Sequence, residues 1–443
     1  MRSTGTLARE DRVGPVFWAA LAWLVFDLGR PYTPPALPLL LTAVLFIDWV
    51  LKKDKQLGPR WIWWLVLLGV IASGVAFAAN TFSAYFYTRL MGILFLGICL
   101  PLQGLLTSLR HLRWWLYALI LIAFYVGSWA AAHQGFGPAR GAGQDENYVA
   151  ALMTMGAALA YFCFFTDKRL WFRVFLGMAM CSFLAAMAVA DNPSRGGFLA
   201  LIAVGLYCLW RSPRKAMGVS IVGAVSVALL LFAGDRFWKE IDTTSDYESG
   251  TGDMRLELWK AGVRMWQGNP VLGVGAGNFR WRLGDYQSQD QFEKFGRNLG
   301  GSVIAHSSNV EMLSELGSVG ALATIVLTLS TWIGLGKIRP PKRKPGEPPL
   351  HPDLVQLGHY ADGVRCAMLA ILVSGTFLSL FYYSHLWVLI AGGTAMPYVH
   401  RRILQREAAL AANIPAPVIV TNNTAASHRA LGRGRGLPPR RRA

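Results

Sequence analysis

The sequence predicts an all-α polytopic membrane protein, and this prediction depends on its composition, its long apolar stretches and the placement of its basic residues. Of the 443 residues, 53% are hydrophobic and only 15% are charged. Soluble proteins have about 25% charged residues, so this deficit argues against an ordinary cytosolic enzyme. Disordered chains combine low hydrophobicity with high charge, a combination that is absent here.

Stretches long enough to cross a bilayer recur along the chain. A helix needs about 20 apolar residues to span the hydrocarbon core, and about 17–25 are tolerated. We therefore predict about twelve transmembrane helices, at residues 14–29, 35–51, 61–80, 84–106, 112–132, 148–166, 171–190, 195–211, 216–234, 308–336, 360–381 and 384–400. They form two groups, 14–234 and 308–400, separated by a large loop at 235–307 in which we expect short helices. Loops of this length usually carry function.

The basic residues predict the orientation of these helices. Lys52, Lys53 and Arg60 follow the second stretch, and other Lys and Arg residues lie in further connections on the same side. Because cytoplasmic loops are enriched in Lys and Arg, the terminal segments 1–13 and 401–443 are predicted to be cytoplasmic. The net charge of +18 then reflects topology. We expect membrane lipids, and no nucleic acid, as partners of these residues.

The 235–307 loop contains a predicted amphipathic helix. Asp253 is a candidate N-cap, and Gly268 precedes an Asn-Pro pair that would end the helix. Apolar residues recur between them at helical spacing: Leu256, Trp259, Val263 and Trp266. This face is expected to lie on the membrane domain or in its interface. Arg255 stands four residues before Trp259, which allows a cation–π contact, although a surface arginine fits the local pattern equally well.

A glycine-rich segment, NPVLGVGAGNF, follows at residues 269–279. Its glycines are spaced G-x-G-x-G and lack the strand–turn–helix setting of a dinucleotide site. We predict a tight re-entrant turn in which glycine lets the backbone pack closely against helices.

A histidine stands where the loop re-enters the membrane, in the segment HSSNVEMLSELGSVG at 306–320. Ser307 or Ser308 is the candidate N-cap of the next helix, and Asn309 is predicted to share a face with His306. A histidine at a water-accessible membrane surface suits a general base near neutral pH. A structural histidine bonded to a loop carbonyl is the alternative.

Two carboxylates follow in the same segment. Glu311 and Glu315 are one turn apart near the mouth of an apolar span, where ionisable groups are costly and are therefore functional candidates. Gly317 and Gly320 are expected to allow close helix packing.

A second polar cluster, DNPSRGG at residues 191–197, lies at the outer end of two predicted helices. Arg195 is predicted to begin a helix, with Asn192 or Ser194 as the capping group. An arginine beside a helix N-terminus forms an anion site, and guanidinium binds phosphate bidentately. An interfacial anchor for the helix is the alternative. Arg89 and Arg140 are further candidates on the same side.

Together these motifs resemble the O-antigen ligase/polymerase superfamily of bacterial envelope glycosyltransferases. The family signature is His, then Asn, Ser or Gln, then nine residues, then Gly-x-x-Gly, which matches His306, Ser307, Gly317 and Gly320. The R-x-x-x-W motif beginning at Arg255, the N-P-x-x-G-x-G motif at 269–275 and the S-R-G motif at 194–196 are also similar to the family. The resemblance extends over the whole helical layout and is most specific between 191 and 320.

The resemblance implies a metal-independent, cofactor-free glycosyltransferase of GT-C-like architecture in the bacterial inner membrane. Its site would face the periplasm, with the 235–307 loop as the catalytic loop. The donor would be an undecaprenyl-pyrophosphate-linked glycan and the acceptor lipid A–core. Arg195 and Arg255 would bind the pyrophosphate, Arg89 and Asn309 would assist in substrate binding, and His306 would deprotonate or orient the acceptor hydroxyl.

Within the family we expect the O-antigen ligase of lipopolysaccharide biosynthesis. A polymerase or a protein O-oligosaccharyltransferase shares the motifs and remains the alternative. A secondary transporter is a further alternative, but it predicts discontinuous helices and repeat symmetry between the halves, which the sequence does not reveal.

Overall fold

The computed structural model describes residues 13–31, 36–53, 55–138, 145–188, 194–232, 235, 238, 251–295, 298–301, 303–338 and 350–412. The predicted terminal segments 1–13 and 401–443, most of 235–250, and Arg140 and Asn192 therefore lie wholly or largely outside the described residues.

Each predicted apolar stretch coincides with a helix. The helices before the large loop are α1 (Pro15–Leu24, continued by a π-helical turn at Val25–Gly29), α2 (Ala36–Leu51), α3 (Ile62–Ser73), α4 (Thr81–Gly92, continued by π-helical Ile93–Cys99), α5 (Leu100–Leu105), α6 (Leu109–Ala132), α7 (Glu146–Phe164), α8 (Leu170–Ala188), α9 (Arg195–Arg211) and α10 (Lys215–Phe232). After the loop come α14 (Ser308–Lys337), α15 (Pro352–Thr376) and α16 (Ser384–Ala412). The part of the chain described is entirely helical and irregular, without strands.

Length and composition establish a multi-pass membrane protein. Within the part of the chain that the structure describes, four helical stretches are long and apolar enough to cross a membrane: Thr81–Leu105, Leu109–Ala132, Glu146–Phe164 and Ser308–Lys337. Further apolar helices are shorter, and include α1, α2, α3, α8 and α10. The count of twelve crossings stays a prediction.

The last two helices differ from their predicted bounds. The structure places α15 at Pro352–Thr376 rather than 360–381, because His351 caps its first turn by accepting a hydrogen bond from Asp353 N at 3.3 Å. The helix ends before Phe377, so residues 377–383 form an irregular connection. The twelfth helix continues past residue 400 to Ala412. Hydropathy finds the apolar part of a helix and does not detect its polar extensions.

Two helices at the centre of the bundle are joined by a buried ion pair. The Arg211 guanidinium at the end of α9 donates to Asp362 Oδ1 of α15, from Nε at 3.1 Å and Nη2 at 2.6 Å. Both side chains are buried. Such a pair costs desolvation, but removing one partner leaves an uncompensated charge, so it fixes how α9 packs on α15.

The large loop folds into the short helices that the sequence predicts. They are α11 (Thr251–Gly268), α12 (Phe279–Arg282, followed by a 3₁₀ turn at Leu283–Tyr286) and α13 (Gln289–Phe295). Because α11 begins at Thr251, the predicted N-cap at Asp253 is wrong: that residue lies inside the first turn.

The protein encloses the predicted apolar face of α11 only in part. Leu256 and Val263 are 47% and 40% exposed, whereas the buried stripe consists of Leu258, Ala261 and Met265. These residues form a core within the loop itself, together with Val274, Phe279, Leu283, Leu299 and Ala305. The most buried face of α11 therefore packs against the rest of the loop. A hydrophobic repeat in the sequence does not show which part of the protein covers that face. Contact of the exposed part of the predicted face with the membrane interface stays a prediction.

Candidate active site

The long helix that follows the loop is interrupted in its N-terminal part. Gly317 of α14 adopts φ 61° and ψ −165°, which is not helical. The glycine-rich segment fills the interruption with four backbone hydrogen bonds, given donor first: Val274 N to Ser314 O (2.9 Å), Gly275 N to Glu315 O (2.9 Å), Ser318 N to Pro270 O (2.8 Å) and Val319 N to Val271 O (3.2 Å). Backbone groups freed by the break are thus bonded to protein, as a low-dielectric setting requires.

Glycine is required on both sides of this junction. A Cβ on Gly317 would lie 2.5 Å from the Val271 carbonyl, and one on Gly273 (φ 68°) would collide with the backbone of Ser314 and Glu315. The predicted close packing of a re-entrant glycine turn is therefore confirmed. Gly317 was expected to allow close packing between helices. The structure corrects this role, because Gly317 instead breaks its own helix. The backbone N–H groups of Val274 and Gly275 donate to carbonyl groups of the helix. They are therefore not available as donors to a nucleotide phosphate.

Glu315 holds the same junction through its side chain. Its carboxylate accepts hydrogen bonds from Gly277 N at 2.7 Å, Phe279 N at 2.8 Å and the Tyr382 hydroxyl. The side chain is 2% exposed. This carboxylate, a functional candidate from sequence, thus anchors the glycine-rich segment to α14.

The other candidate carboxylate has a different environment. Glu311 is 9% exposed, and its Oε2 has no hydrogen-bond partner among the described residues. It lies in the first turn of α14, between His306 and Glu315 along the chain.

The turn before α14 fixes the position of His306. Ser307 is the N-cap, and its hydroxyl accepts from Val310 N at 3.4 Å. Ser308 Oγ donates to Leu378 O and accepts from Leu380 N, each at 2.7 Å, which ties the turn to the connection after α15. His306 itself has φ 48°, in the left-handed region that non-glycine residues seldom adopt.

The predicted pairing of His306 with Asn309 on one helical face does not follow from this geometry, because His306 precedes the cap and is outside the helix. Asn309 is exposed in the first turn, and its amide donates to Thr376 Oγ1 at 3.4 Å. Its predicted part in substrate binding stays a prediction.

Arg255 acts on His306 electrostatically. Trp259, one turn further along α11, donates from its indole N–H to Ala305 O at 3.1 Å, so this face of α11 lies against the residue before His306. Burial and then the positive charge of Arg255 lower the pKa of His306 from its ordinary value of 6.5, and Asp145 opposes the shift. The imidazole is therefore neutral at pH 7. The cation–π contact between Arg255 and Trp259 stays a prediction.

Arg195 reaches the same region through Phe377. Ser194 caps α9 by accepting from Gly197 N at 3.1 Å, so Arg195 is the first helical residue, as predicted. A Cβ on Gly196 would lie 3.1 Å from Phe377 Cβ, and the Phe377 ring is 6.2 Å from that of Trp259. The start of α9 and the Arg255–Trp259 face of α11 therefore meet at Phe377.

A third arginine, not among the site residues predicted from sequence, contacts the connection that precedes α16. Arg30, at the C-terminal end of α1, has its guanidinium 4.8 Å from the ring of Tyr148 and 5.3 Å from that of Tyr383. Its Nε donates to Asp27 O at 3.2 Å, and its φ is 44°. Burial raises the pKa of Tyr383, with Arg30 acting against the shift and Asp145 adding to it. Asp145 thus acts on both Tyr383 and His306.

Arg89 differs from these arginines in its surroundings. It is exposed on α4, near the exposed side chains of Phe82, Tyr85 and Phe86. An arginine on an exposed aromatic face of an apolar helix fits an interfacial contact with lipid. Its predicted role in substrate binding stays a prediction.

Among the residues that the structure describes, no three His, Cys, Asp or Glu side chains gather as metal ligands do. Independence from metal ions remains a prediction that an assay has to test.

Comparison with known proteins identifies the central part of the chain. No curated protein matches it. Residues 181–325, which contain Arg195, Arg255 and His306, match the family model Wzy_C, described as O-Antigen ligase. The resemblance inferred from the motifs is therefore confirmed for this segment, which is similar to the O-antigen ligase family.

Proposed function

We propose that this protein is a glycosyltransferase of the periplasmic membrane face, which transfers O-antigen polysaccharide from undecaprenyl pyrophosphate to a sugar hydroxyl of lipid A–core. The observation that carries the proposal is twofold: the start of α9, which bears Arg195, and the Trp259 face of α11 both contact Phe377, and Arg255 acts on a neutral His306. Guanidinium groups suit a pyrophosphate, and a neutral imidazole suits a hydroxyl proton.

The proposed reaction is a single displacement at the anomeric carbon of the donor. The acceptor hydroxyl oxygen forms a bond to that carbon while the bond from carbon to pyrophosphate oxygen breaks. The hydroxyl proton passes to His306, and undecaprenyl pyrophosphate leaves. Arg195, Arg255 and Arg30 stabilise the charge that develops on the leaving group.

Arg30 joins this proposal because its tyrosine partners orient the guanidinium without neutralising its charge. Stacking on aromatic rings leaves the N–H edge of a guanidinium directed outward and able to bind an anion. Asn309 and Arg89 are proposed to contact more distant parts of the substrates.

The surrounding helices offer space for the isoprenoid chain of the donor. A cavity of about 370 Å³ lies along α9 beyond Arg195, lined by Phe198, Leu201 and Ile202 and by apolar residues of α7, α8 and α10. A donor whose pyrophosphate sits at Arg195 would extend its chain into this cavity. A second, smaller cavity of about 200 Å³ beside Ser308 and Asn309 lies between α14 and α15.

The proposed topology has twelve crossings, with both termini in the cytoplasm and residues 235–307 in the periplasm. Lys168 and Arg214, exposed in the short connections after α7 and α9, support this orientation.

Complementation of a ligase-deficient strain tests the proposal, with the lipopolysaccharide ladder on a gel as the readout. Full-length ladders on lipid A–core support the ligase. Restoration of ladders only in a polymerase-deficient strain, where cores otherwise carry a single repeat unit, would identify a polymerase instead.

Variants test the site within the same assay. We expect His306→Ala, Arg195→Ala and Arg255→Ala each to abolish the ladder while the protein still reaches the membrane. Matched controls are His133→Ala, at the end of α6, and Arg282→Ala, whose side chain pairs with Asp285 at 3.0 Å. Both should keep the ladder. With purified protein, transfer should persist in EDTA, and its loss would overturn metal independence.

A further inference from the structure

A cavity of about 620 Å³ lies at the end of α14 opposite His306. Its walls are the connection between α2 and α3, the last turns of α14, and α16 as far as Arg401. The histidine precedes the first residue of α14, whereas the cavity is lined by its residues 327–338, so most of the helix separates the two. Cavities of about 300–1,000 Å³ are typical of small-ligand sites.

The rim of this cavity is strongly basic. Lys55, Arg60, Lys337 and Arg401 line it, and no Asp or Glu is among its lining residues. The Lys55 ammonium is bonded to Val50 O at 3.1 Å and Lys52 O at 3.0 Å. The other three cations are exposed, and the described residues offer no carboxylate to pair with them. Four cations around one cavity favour an anionic ligand.

The floor of the cavity is polar. Thr331 of α14 and Thr394 of α16 share a hydrogen bond at 3.2 Å, and Gln103 Oε1 accepts from Gly58 N at 2.9 Å. The hydroxyl oxygens of both threonines can accept a hydrogen bond from a donor that enters the cavity.

The upper walls are apolar and aromatic, including Trp61, Trp64 and Tyr398. Trp and Tyr are enriched where a membrane meets water. The cavity therefore combines an aromatic membrane-border wall, a basic rim and a hydroxyl-lined floor. Membrane topology accounts for basic residues on this side, but it does not account for a polar cavity enclosed between helices.

We propose that this cavity binds the phosphate headgroup of an anionic membrane lipid, with the phosphate at Arg60, Lys337 and Arg401 and a headgroup hydroxyl at Thr331 and Thr394. Phosphatidylglycerol carries both groups, and basic cavities between membrane helices on the cytoplasmic side bind such headgroups. The site is separate from the transfer reaction and does not depend on it.

Native mass spectrometry of the delipidated full-length chain in neutral detergent tests the proposal. Phosphatidylglycerol, phosphatidylcholine and inorganic phosphate are each added, and the bound molecules per chain are counted. We expect retention of phosphatidylglycerol over phosphatidylcholine, and no competition from inorganic phosphate at equal concentration. Equal retention of both lipids would overturn the proposal, and displacement by inorganic phosphate would show that the ligand is free phosphate instead.

Paired charge variants locate the binding. The cavity variant is Arg60→Gln/Lys337→Gln/Arg401→Gln, and its control, Arg110→Gln/Lys168→Gln/Arg214→Gln, removes the same charge from exposed positions outside the cavity. The cavity variant should weaken lipid binding by on the order of tenfold, since each basic residue contributes appreciably to binding of an anionic headgroup. Equal phosphatidylglycerol binding by the cavity variant and its control would contradict the proposal that the lipid binds in this cavity. If the triple variant does not fold, single Lys337→Gln is compared with Lys168→Gln.

Discussion

At the scale of single residues, the site depends on the charge of one histidine. Burial and Arg255 both disfavour the imidazolium form of His306. A lowered pKa keeps the imidazole neutral at pH 7, where a general base needs a free lone pair. In the proposed reaction, Arg255 therefore both stabilises the leaving group and keeps the pKa of His306 low.

The pH dependence of transfer follows from that shift. Because the folded pKa lies below 6.5, His306 becomes protonated only in acid, and transfer should fall as the pH decreases through the lowered value. Stability should decrease over the same acid range, since the unfolded chain binds this proton more readily. We expect His306→Gln to reduce transfer by about 10²–10⁴-fold and to remove the acid limb of its pH profile. If His306→Gln kept the acid limb of the pH profile, the titration behind that limb would belong to another group.

Arg30 gives the second residue-scale prediction. Arg30→Lys retains the charge but loses the planar contact with Tyr148 and Tyr383, whereas Arg30→Ala loses both. We expect Arg30→Ala to raise the KM for the donor by on the order of tenfold and Arg30→Lys to do so by less. Arg282→Ala is the control. A wild-type KM in Arg30→Ala would show that this arginine only supports packing.

At the scale of elements, the decisive feature is the interruption of α14 at Gly317. A broken helix is a hallmark of transporters, where freed backbone groups bind ions. Here the four freed groups are bonded to the glycine-rich segment instead, which makes the break a junction between the helix and the loop. The motif Gly-x-x-Gly is therefore required by backbone geometry.

Substitution of Gly317 tests this junction. An alanine there would have to adopt φ 61° and ψ −165°, a region essentially restricted to glycine, at a cost of about 1–3 kcal/mol. Its Cβ would also collide with the Val271 carbonyl. We expect Gly317→Ala to lower the Tm of the purified protein markedly. Gly334→Ala, in a regular part of the same helix where the nearest atom is 3.9 Å away, should leave the Tm unchanged or raise it slightly. Equal Tm values for Gly317→Ala and Gly334→Ala would contradict the conclusion that the junction requires glycine at residue 317.

At the scale of the whole molecule, the prediction concerns orientation in the membrane. Cysteine labelling in intact cells with a membrane-impermeant maleimide tests it, after the exposed Cys181 is replaced by Ala. Glu293→Cys in the large loop should be labelled at once, and Lys168→Cys only after the membrane is permeabilised. The reverse pattern would invert the proposed topology.

The sequence predicted the helices well because apolar length is a local property of the chain. The motifs around His306, Arg255 and Arg195 were also recognisable, since they are contiguous segments. Arg30 was not, because it becomes part of the site only through tyrosines far along the chain. The buried face of α11 was misplaced for the same reason: its partner is the rest of the loop.

The sequence by itself therefore determined the class of protein, its helices, its predicted orientation and the family of its central domain. Only the tertiary structure decided that Glu315 and Gly317 build a junction, that Phe377 joins two arginine-bearing helices, and that basic residues from distant segments line one cavity. The physical reason is that hydropathy and charge act locally and can be read along the chain, whereas these features depend on contacts between segments distant in sequence.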